Sequence, residues 1–505
     1  MCLNGKDKLS KILNNLRNYS FFDKMLICQI YSKELMEFDH LAILENIGKN
    51  ALPWELETFA ELSILSDEKH PFKKFSPENN KDFVDTINYI RNYTHPYLNS
   101  LIGTQAFIDA YFMVNAMLQF KAQENIINRL YRYNYFWNYQ DNEIDMISEF
   151  KNKYSGLTFD HFIELAHLIY FFSHKDFYQQ SPIIYKQVYA YITQTHKAAI
   201  NLLKITRKDY IVNQQSKNKG NLQNSIYGFN YLFPYPFIEY EDIIYLPLPY
   251  LIVDSVTESL LTRATNDDTH LREIIGKNVA QSYIENILKE SNVYDEVVPE
   301  IAYSVGKNRI DSPDVMLKKD NLFCLIDSKL STPKISLRQF VEEDESSIIK
   351  QYAKNIKQLY KRIQEFLNGY YYPFKDINTI DRKNVFGVVV LFENSFVSKE
   401  KVYREVCNQL NINYESCEGE YIRSNIKITE LHDIERFAFS SFDFFRSLTI
   451  NRDDSNKWND ISLYNDQHFK DDDIRLIPSL VSFQDKIQGM LLKAVTDLKK
   501  LGIVR

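Results

Sequence analysis

Residues 312–329 read SPDVMLKKDNLFCLIDSK, two short runs separated by Lys319, Asp320 and Asn321, residue types suited to a tight hairpin. With Asp320 and Asn321 as the loop, Asp314 falls directly opposite Asp327. In the second run Asp327 and Lys329 are two positions apart, so they share a face that Phe323 and Leu325 continue toward the interior. Two carboxylates and an ammonium then converge on one spot. Paired carboxylates repel and raise each other's pKa, a penalty that a divalent cation removes, and a neighbouring lysine can stabilise developing negative charge. Ligation by oxygen alone suits Mg²⁺.

The flanking sequence has a regular order. A helix is predicted over about Leu271 to Glu290, then alternating runs over Val293 to Tyr303, Ser312 to Leu317 and Leu322 to Leu330, then a long helix over about Ser346 to Leu367. The run VFGVVVLF, Val385 to Phe392, has the character of a strand buried on both faces. A helix near Lys399 to Leu410 and a strand near Asn425 to Thr429 complete a mixed α/β unit.

These residues resemble the PD-(D/E)xK nuclease superfamily, whose fold is the restriction-endonuclease-like fold. Pro313-Asp314 is similar to the PD element and Asp327-Ser328-Lys329 to the (D/E)xK element, with twelve residues between the two aspartates. The resemblance spans roughly residues 268–435, about a third of the chain. It implies that Asp314 and Asp327 ligate Mg²⁺, with Mn²⁺ as a substitute and the Ser328 carbonyl as a further ligand, while Lys329 positions or activates the attacking water. Many members place a glutamate on the preceding helix after a glycine. Here Gln281 follows Gly276 at that place and Glu285 stands one turn later, so either can face the site; Glu285 is the candidate ligand. Gln351 is similar to a glutamine that some members carry after the lysine, although its QY spacing departs from their QxxxY. The activity implied is metal-dependent hydrolysis of phosphodiester bonds in DNA. The alternative is a non-catalytic scaffold or nucleic-acid-binding subunit with a degenerate nuclease fold.

In the helix that follows, Lys350, Lys354, Lys357 and Lys361 recur at helical spacing beside an apolar face, a stripe that could track a phosphate backbone or simply face solvent. From Ser304 to Arg362 there are 12 Lys and Arg against 8 Asp and Glu, a local net of +4 in a chain whose net charge is -7. Positive charge is concentrated around the proposed site.

Residues 1–212 read as mostly helical, with three-and-four apolar spacing in Gln105 to Leu130 and Phe159 to Phe172. Asn213 to Ser225 is polar apart from Leu222, and residues 213–226 suggest a linker or long loop. After it, prolines at 234, 236, 247 and 249 confine any strands to short or edge segments. The expected organisation is a mainly α domain (1–212) that senses or binds a protein partner or a second copy, the linker (213–226), an α/β restriction-endonuclease-like domain with a mixed central sheet (227–445), and a C-terminal extension with an amphipathic helix (446–505). By fold-level analogy this arrangement suits bacterial defence or restriction.

Composition excludes other classes. The 505 residues are 45% hydrophobic and 25% charged, an ordinary globular mixture, and only 13 are Gly. Neither GxGxxG nor GxxxxGK[ST] occurs, which argues against a P-loop ATPase or a glycine-fingerprint dinucleotide enzyme. The five cysteines form no CxxC pair. No apolar run approaches the roughly 20 residues of a membrane span, and the N-terminus lacks a leader's apolar core, so a cytoplasmic protein without membrane contact is expected. Arg91 and His95 are a poor match to an Arg-to-His ribonuclease motif, with only three residues between them.

Overall fold

A computed structural model describes residues 5–37, 51–74, 81–93, 100–104, 107, 125–173, 182–217, 228, 230–331, 342–375, 380–393, 395, 397–440, 442–453 and 476–503. The chain divides into two compact units, one of residues 1–267 with 338–340 and 484–505, the other of residues 268–337 with 341–483. Among the described residues no helix is long and apolar enough to cross a membrane.

The first unit is mainly helical. Its helix Pro53–Leu65 is buried almost all round, as expected of a segment with apolar residues on every side, and its acids are matched by partners. Glu55 is held by two hydrogen bonds from Arg91, at 2.6 and 2.8 Å. Glu57 accepts from the Tyr250 hydroxyl at 3.1 Å. A short sheet of β1 (Lys204–Thr206), β2 (Phe237–Tyr240) and β3 (Ile243–Tyr245) joins the helices, with β2 and β3 kept short between Pro236 and Pro247.

The expected linker and the observed division differ. Residues 213–217 continue the helix Arg207–Lys217, and residues 218–227 lie outside the described residues. Residues 230–267, expected to open the α/β domain, belong with the helical unit because β2 pairs in parallel with β1 and the Asn230 side-chain amide donates to the Glu57 carbonyl at 3.0 Å. Arg129, buried, is paired with both Asp254 and Glu258. Most of the expected helix over Gln105 to Leu130 lies outside the described residues; Ile126–Asn138 is helical, as is Phe159–Ser173.

The second unit begins with α1 (Thr269–Ile274), a π-helical turn at Ile275–Val279 and α2 (Ala280–Glu290). One continuous α-helix was the expectation; the wider turn sits where Gly276 meets Leu330, whose Cβ would lie 3.3 Å from a Cβ at that glycine. Then come β4 (Glu296–Pro299), a separate two-stranded hairpin of β5 (Ala302–Val305) and β6 (Asn308–Asp311), β7 (Val315–Lys319) and β8 (Leu322–Lys329). The long helix α3 (Glu342–Leu367) leads to β9 (Val385–Leu391), α4 (Lys399–Leu410), α5 (Cys417–Asn425), β10 (Ile426–Glu430) and α6 (Leu431–Ala438). The run Val293 to Tyr303, whose alternation predicts one strand, is divided at Glu300 and Ile301 between β4 and the first strand of the β5–β6 hairpin.

The central sheet is mixed, in the order β10-β9-β8-β7-β4. Strands β4, β7 and β8 are antiparallel neighbours, and β8, β9 and β10 run parallel. Every residue of β9 is buried. Helix α3 covers one face, where Phe366 meets Phe323 at 5.6 Å between ring centroids. Phe386 alternates to the opposite face and meets Phe445. Helix α2 is tied to α6 by the Tyr283 hydroxyl, which donates to Glu435 at 2.6 Å.

Gly387 in β9 is a point of close approach, since a Cβ there would lie 2.8 Å from Ile363 Cδ1 and 3.0 Å from Leu359 Cδ2. Gly387→Val should therefore destabilise the protein by about 1–3 kcal/mol through overpacking, read as a lower urea midpoint. Gly489→Ala, in the exposed middle of the helix Pro478–Lys500 with open space around it, should instead be neutral or stabilising by up to about 1 kcal/mol.

Candidate active site

The turn between β7 and β8 sets the site. Asp320 adopts a left-handed φ of 52°, a conformation that Asp tolerates, and its amide donates to Asp295 Oδ2 at 2.7 Å. The loop is then Asp320 and Asn321, with Lys319 paired to Leu322 and Val315 to Ile326. Continuing that ladder by one step places Asp314 across from Asp327, the arrangement that the hairpin spacing predicts.

Each carboxylate has a distinct environment. Asp314 Oδ2 accepts the Ser328 amide at 2.6 Å and the Ser328 hydroxyl at 2.7 Å. Burial, then the nearby Asp327, push its carboxyl up to about 6, against the opposing pull of Lys329 and the two Ser328 donors. Asp327 is only 5% exposed. Its Oδ2 is enclosed without a hydrogen bond, and Lys329 Nζ makes an ionic contact with it at 3.1 Å. Lys329 thus supplies positive charge that offsets part of the cost of enclosing this oxygen, and no hydrogen bond adds to it. The Ser328 amide points toward Asp314, and in an extended strand the carbonyl of the same residue points the same way.

The ladder also reveals an acid that sequence reading missed. Pro299 pairs with Val315, so the next step sets Glu300 across from Asp314. Glu300, Asp314 and Asp327 thus form a row across three adjacent strand ends. Burial and Asp311 raise the Glu300 carboxyl, while Lys277 and a hydrogen bond from Gln281 oppose the rise. The signal was present in the segment VVPEIAY, yet it becomes readable only once the β4–β7 register is known.

The helix-borne candidates separate. Gln281 Nε2 donates to the Asp314 carbonyl at 3.0 Å, which places Gln281 at the site. Glu285 is instead ion-paired with Lys289 on its own helix. Among the described residues no group of three or more His, Cys, Asp or Glu side chains is arranged to hold a metal. The geometry of the row accounts for this: neighbouring strands lie about 4.8 Å apart, so Glu300 and Asp327 are roughly 10 Å apart at the backbone. The donor set is then two carboxylates and one carbonyl, a set that fits Mg²⁺, which commonly takes one or two carboxylates and fills its remaining places with water and phosphate oxygens.

On α3 the lysines do not act alike. Lys350, Lys354 and Lys361 are exposed, whereas Lys357 is partly buried and donates to the Gln409 carbonyl near the end of α4, at 2.9 Å. Gln351 is exposed, and the neighbouring Tyr352 hydroxyl accepts the Ser395 amide at 3.1 Å. Arg91 is committed to Glu55, and His95 lies outside the described residues. Cys28, Cys324 and Cys407 are buried free thiols and Cys417 an exposed one. The chain matches no protein-family model, no curated protein and no solved structure.

A carboxyl raised in the folded state favours the protonated form, so the stability it contributes is complete below its unfolded pKa and is lost as pH rises through about 6. In protein freed of divalent ions, Asp314→Asn should raise the melting temperature at pH 8, and the difference should shrink as pH falls from about 6 toward 4. Scanning calorimetry across that range measures it; a gap independent of pH would assign the strain to another group.

Proposed function

We propose that the second unit is a PD-(D/E)xK-type nuclease with a restriction-endonuclease-like core, and that it hydrolyses phosphodiester bonds in DNA. The observation that carries this reading is the β7–β8 register, which sets Asp314 against Asp327 with Ser328 and Lys329 immediately after. Asp314, Asp327 and the Ser328 carbonyl would hold Mg²⁺ or Mn²⁺. Bound there, the ion supplies positive charge to the phosphate and the leaving oxygen and makes a water molecule more acidic.

The chain's own groups supply the rest. Ser328 orients Asp314 by two hydrogen bonds, and Gln281 fixes the backbone at the same residue. Lys329 sits beside the carboxylates, where its ammonium can orient the attacking water and stabilise charge on the phosphate. Glu300, its carboxyl raised by burial, is suited to accept the proton that water gives up as its oxygen bonds to phosphorus and the P–O bond to the leaving group breaks. The exposed Lys350, Lys354 and Lys361 offer contacts to a phosphate backbone, and Lys357 serves packing instead. The helical unit supplies regulation or partner binding.

A second reading, a nucleic-acid-binding scaffold on a degenerate site, is favoured by Gln281 standing where a glutamate is usual. Plasmid cleavage separates the two. Purified protein should nick or cut plasmid in Mg²⁺ and not in chelator, and Asp327→Ala and Lys329→Ala should each lower the rate at least about 100-fold in protein whose circular dichroism spectrum still matches that of the parent chain. Binding without any metal-dependent cleavage would support the scaffold. Full activity in Asp327→Ala would remove the site from the reaction.

A further inference from the structure

The hairpin β5–β6 is a two-stranded ribbon outside the central sheet, and an isolated ribbon of this size is marginal in water. The fold anchors it closely. At its base the Ser312 amide donates to the Ile301 carbonyl and the Ile301 amide to Ser312 Oγ, both at 2.9 Å. Along one face Tyr303, only 8% exposed, packs on Tyr371 with ring centroids 4.4 Å apart and donates its hydroxyl to Glu365 on α3. Arg362 lies over the Tyr303 ring and pairs with the same Glu365 at 2.9 Å. Such anchoring holds the ribbon in a definite place, with its base at the site, where Glu300 immediately precedes Ile301 and Asp314 follows Ser312 by two residues, and its body along the end of α3 whose Phe366 packs on Phe323.

The other face is unlike the first. Ala302, Ser304, Arg309 and Asp311 share it by alternation and cross-strand pairing, and all four are exposed. The turn is Gly306-Lys307, with Gly306 at a φ of 63°, and it presents Lys307 to solvent. Among the described residues neither Lys307 nor Arg309 makes an ion pair or a side-chain hydrogen bond. Ala302 and Ser304 are small, and Asp311, the one carboxylate of this face, lies at its base, whereas Lys307 and Arg309 lie toward the tip, where a phosphate backbone can come close; a two-stranded ribbon is one of the two elements that the major groove of duplex DNA admits.

We propose that the β5–β6 ribbon is a duplex-contacting element that flanks the site, with Lys307 and Arg309 each neutralising a backbone phosphate of the bound duplex away from the bond to be cut. This rests on the nuclease reading. It adds a substrate-positioning surface that the Asp-Asp-Lys arrangement does not contain.

The test is binding of a short duplex DNA oligonucleotide to the full chain in chelator, over a range of salt, alongside plasmid cleavage in Mg²⁺. Lys307→Gln with Arg309→Gln should make the slope of log affinity against log salt shallower by about 1.8, at about 0.9 per phosphate contact. A charge-matched control, Lys197→Gln with Lys208→Gln in the helical unit, should leave the slope as it was. A chain that binds and cleaves duplex yet keeps its full slope in the ribbon variant would overturn this inference and leave the nuclease reading standing. An equal change in the control would also overturn it, as an effect of overall charge. Parent protein that neither binds nor cuts duplex DNA would overturn both.

Discussion

The pairing of β7 with β8 is the constraint on which the second unit depends. A side chain in a strand changes face with every residue, so a slip of one position would carry Asp327 and Lys329 away from Asp314 and turn Phe323 and Leu325 out of the core. The two-residue loop prevents that slip. Asp320 takes the left-handed conformation, and Asp295, on the approach to β4, fixes its amide. The same ladder carries into β9, whose fully buried residues pair in parallel from Phe323↔Val385 to Lys329↔Leu391. One register therefore aligns the hydrophobic centre of the sheet and its polar end together.

At that polar end the sheet brings together groups that oppose one another. Glu300, Asp314 and Asp327 follow in a row, and burial disfavours ionising Glu300 and Asp314. The fold answers with donors and cations of unequal strength: two hydrogen bonds from Ser328 to Asp314, an ionic contact from Lys329 to Asp327, and Gln281 and Lys277 beside Glu300. At Asp327 Oδ2 the compensation is ionic alone, from Lys329, with no hydrogen bond beside it. Buried carboxyls whose ionisation stays disfavoured are more often found where a site is built to act than where a surface is built only to be stable.

The helical unit solves a related problem differently. Its buried acids are matched by arginines and hydroxyls, as Glu55 is by Arg91 and Glu57 by Tyr250. Such matched pairs hold a packing arrangement in place and leave little free to react.

Local features were legible in the chain. The hairpin loop, the Asp314–Asp327 opposition, the buried strand at Val385 and the helix from Lys399 to Leu410 all follow from turn chemistry and from periods of 2 and 3.6, which need only neighbouring residues. What the sequence left open depended on distant partners. Whether Gln281 or Glu285 faces the site is a matter of how α2 rotates against the sheet, and that rotation is set by buried contacts such as Tyr283 with Glu435, far apart in the chain. Glu300 joins the row through the β4–β7 register, which spans an inserted hairpin that no local period announces. Lys357 leaves its stripe because α4 happens to end beside it, and residues 230–267 join the helical unit because β2 finds its partner in β1. Periodicity determined which segments could form and which faces they would bury; tertiary packing decided which of the exposed or ambiguous side chains met, because those choices are made by contacts between residues that the chain itself keeps far apart.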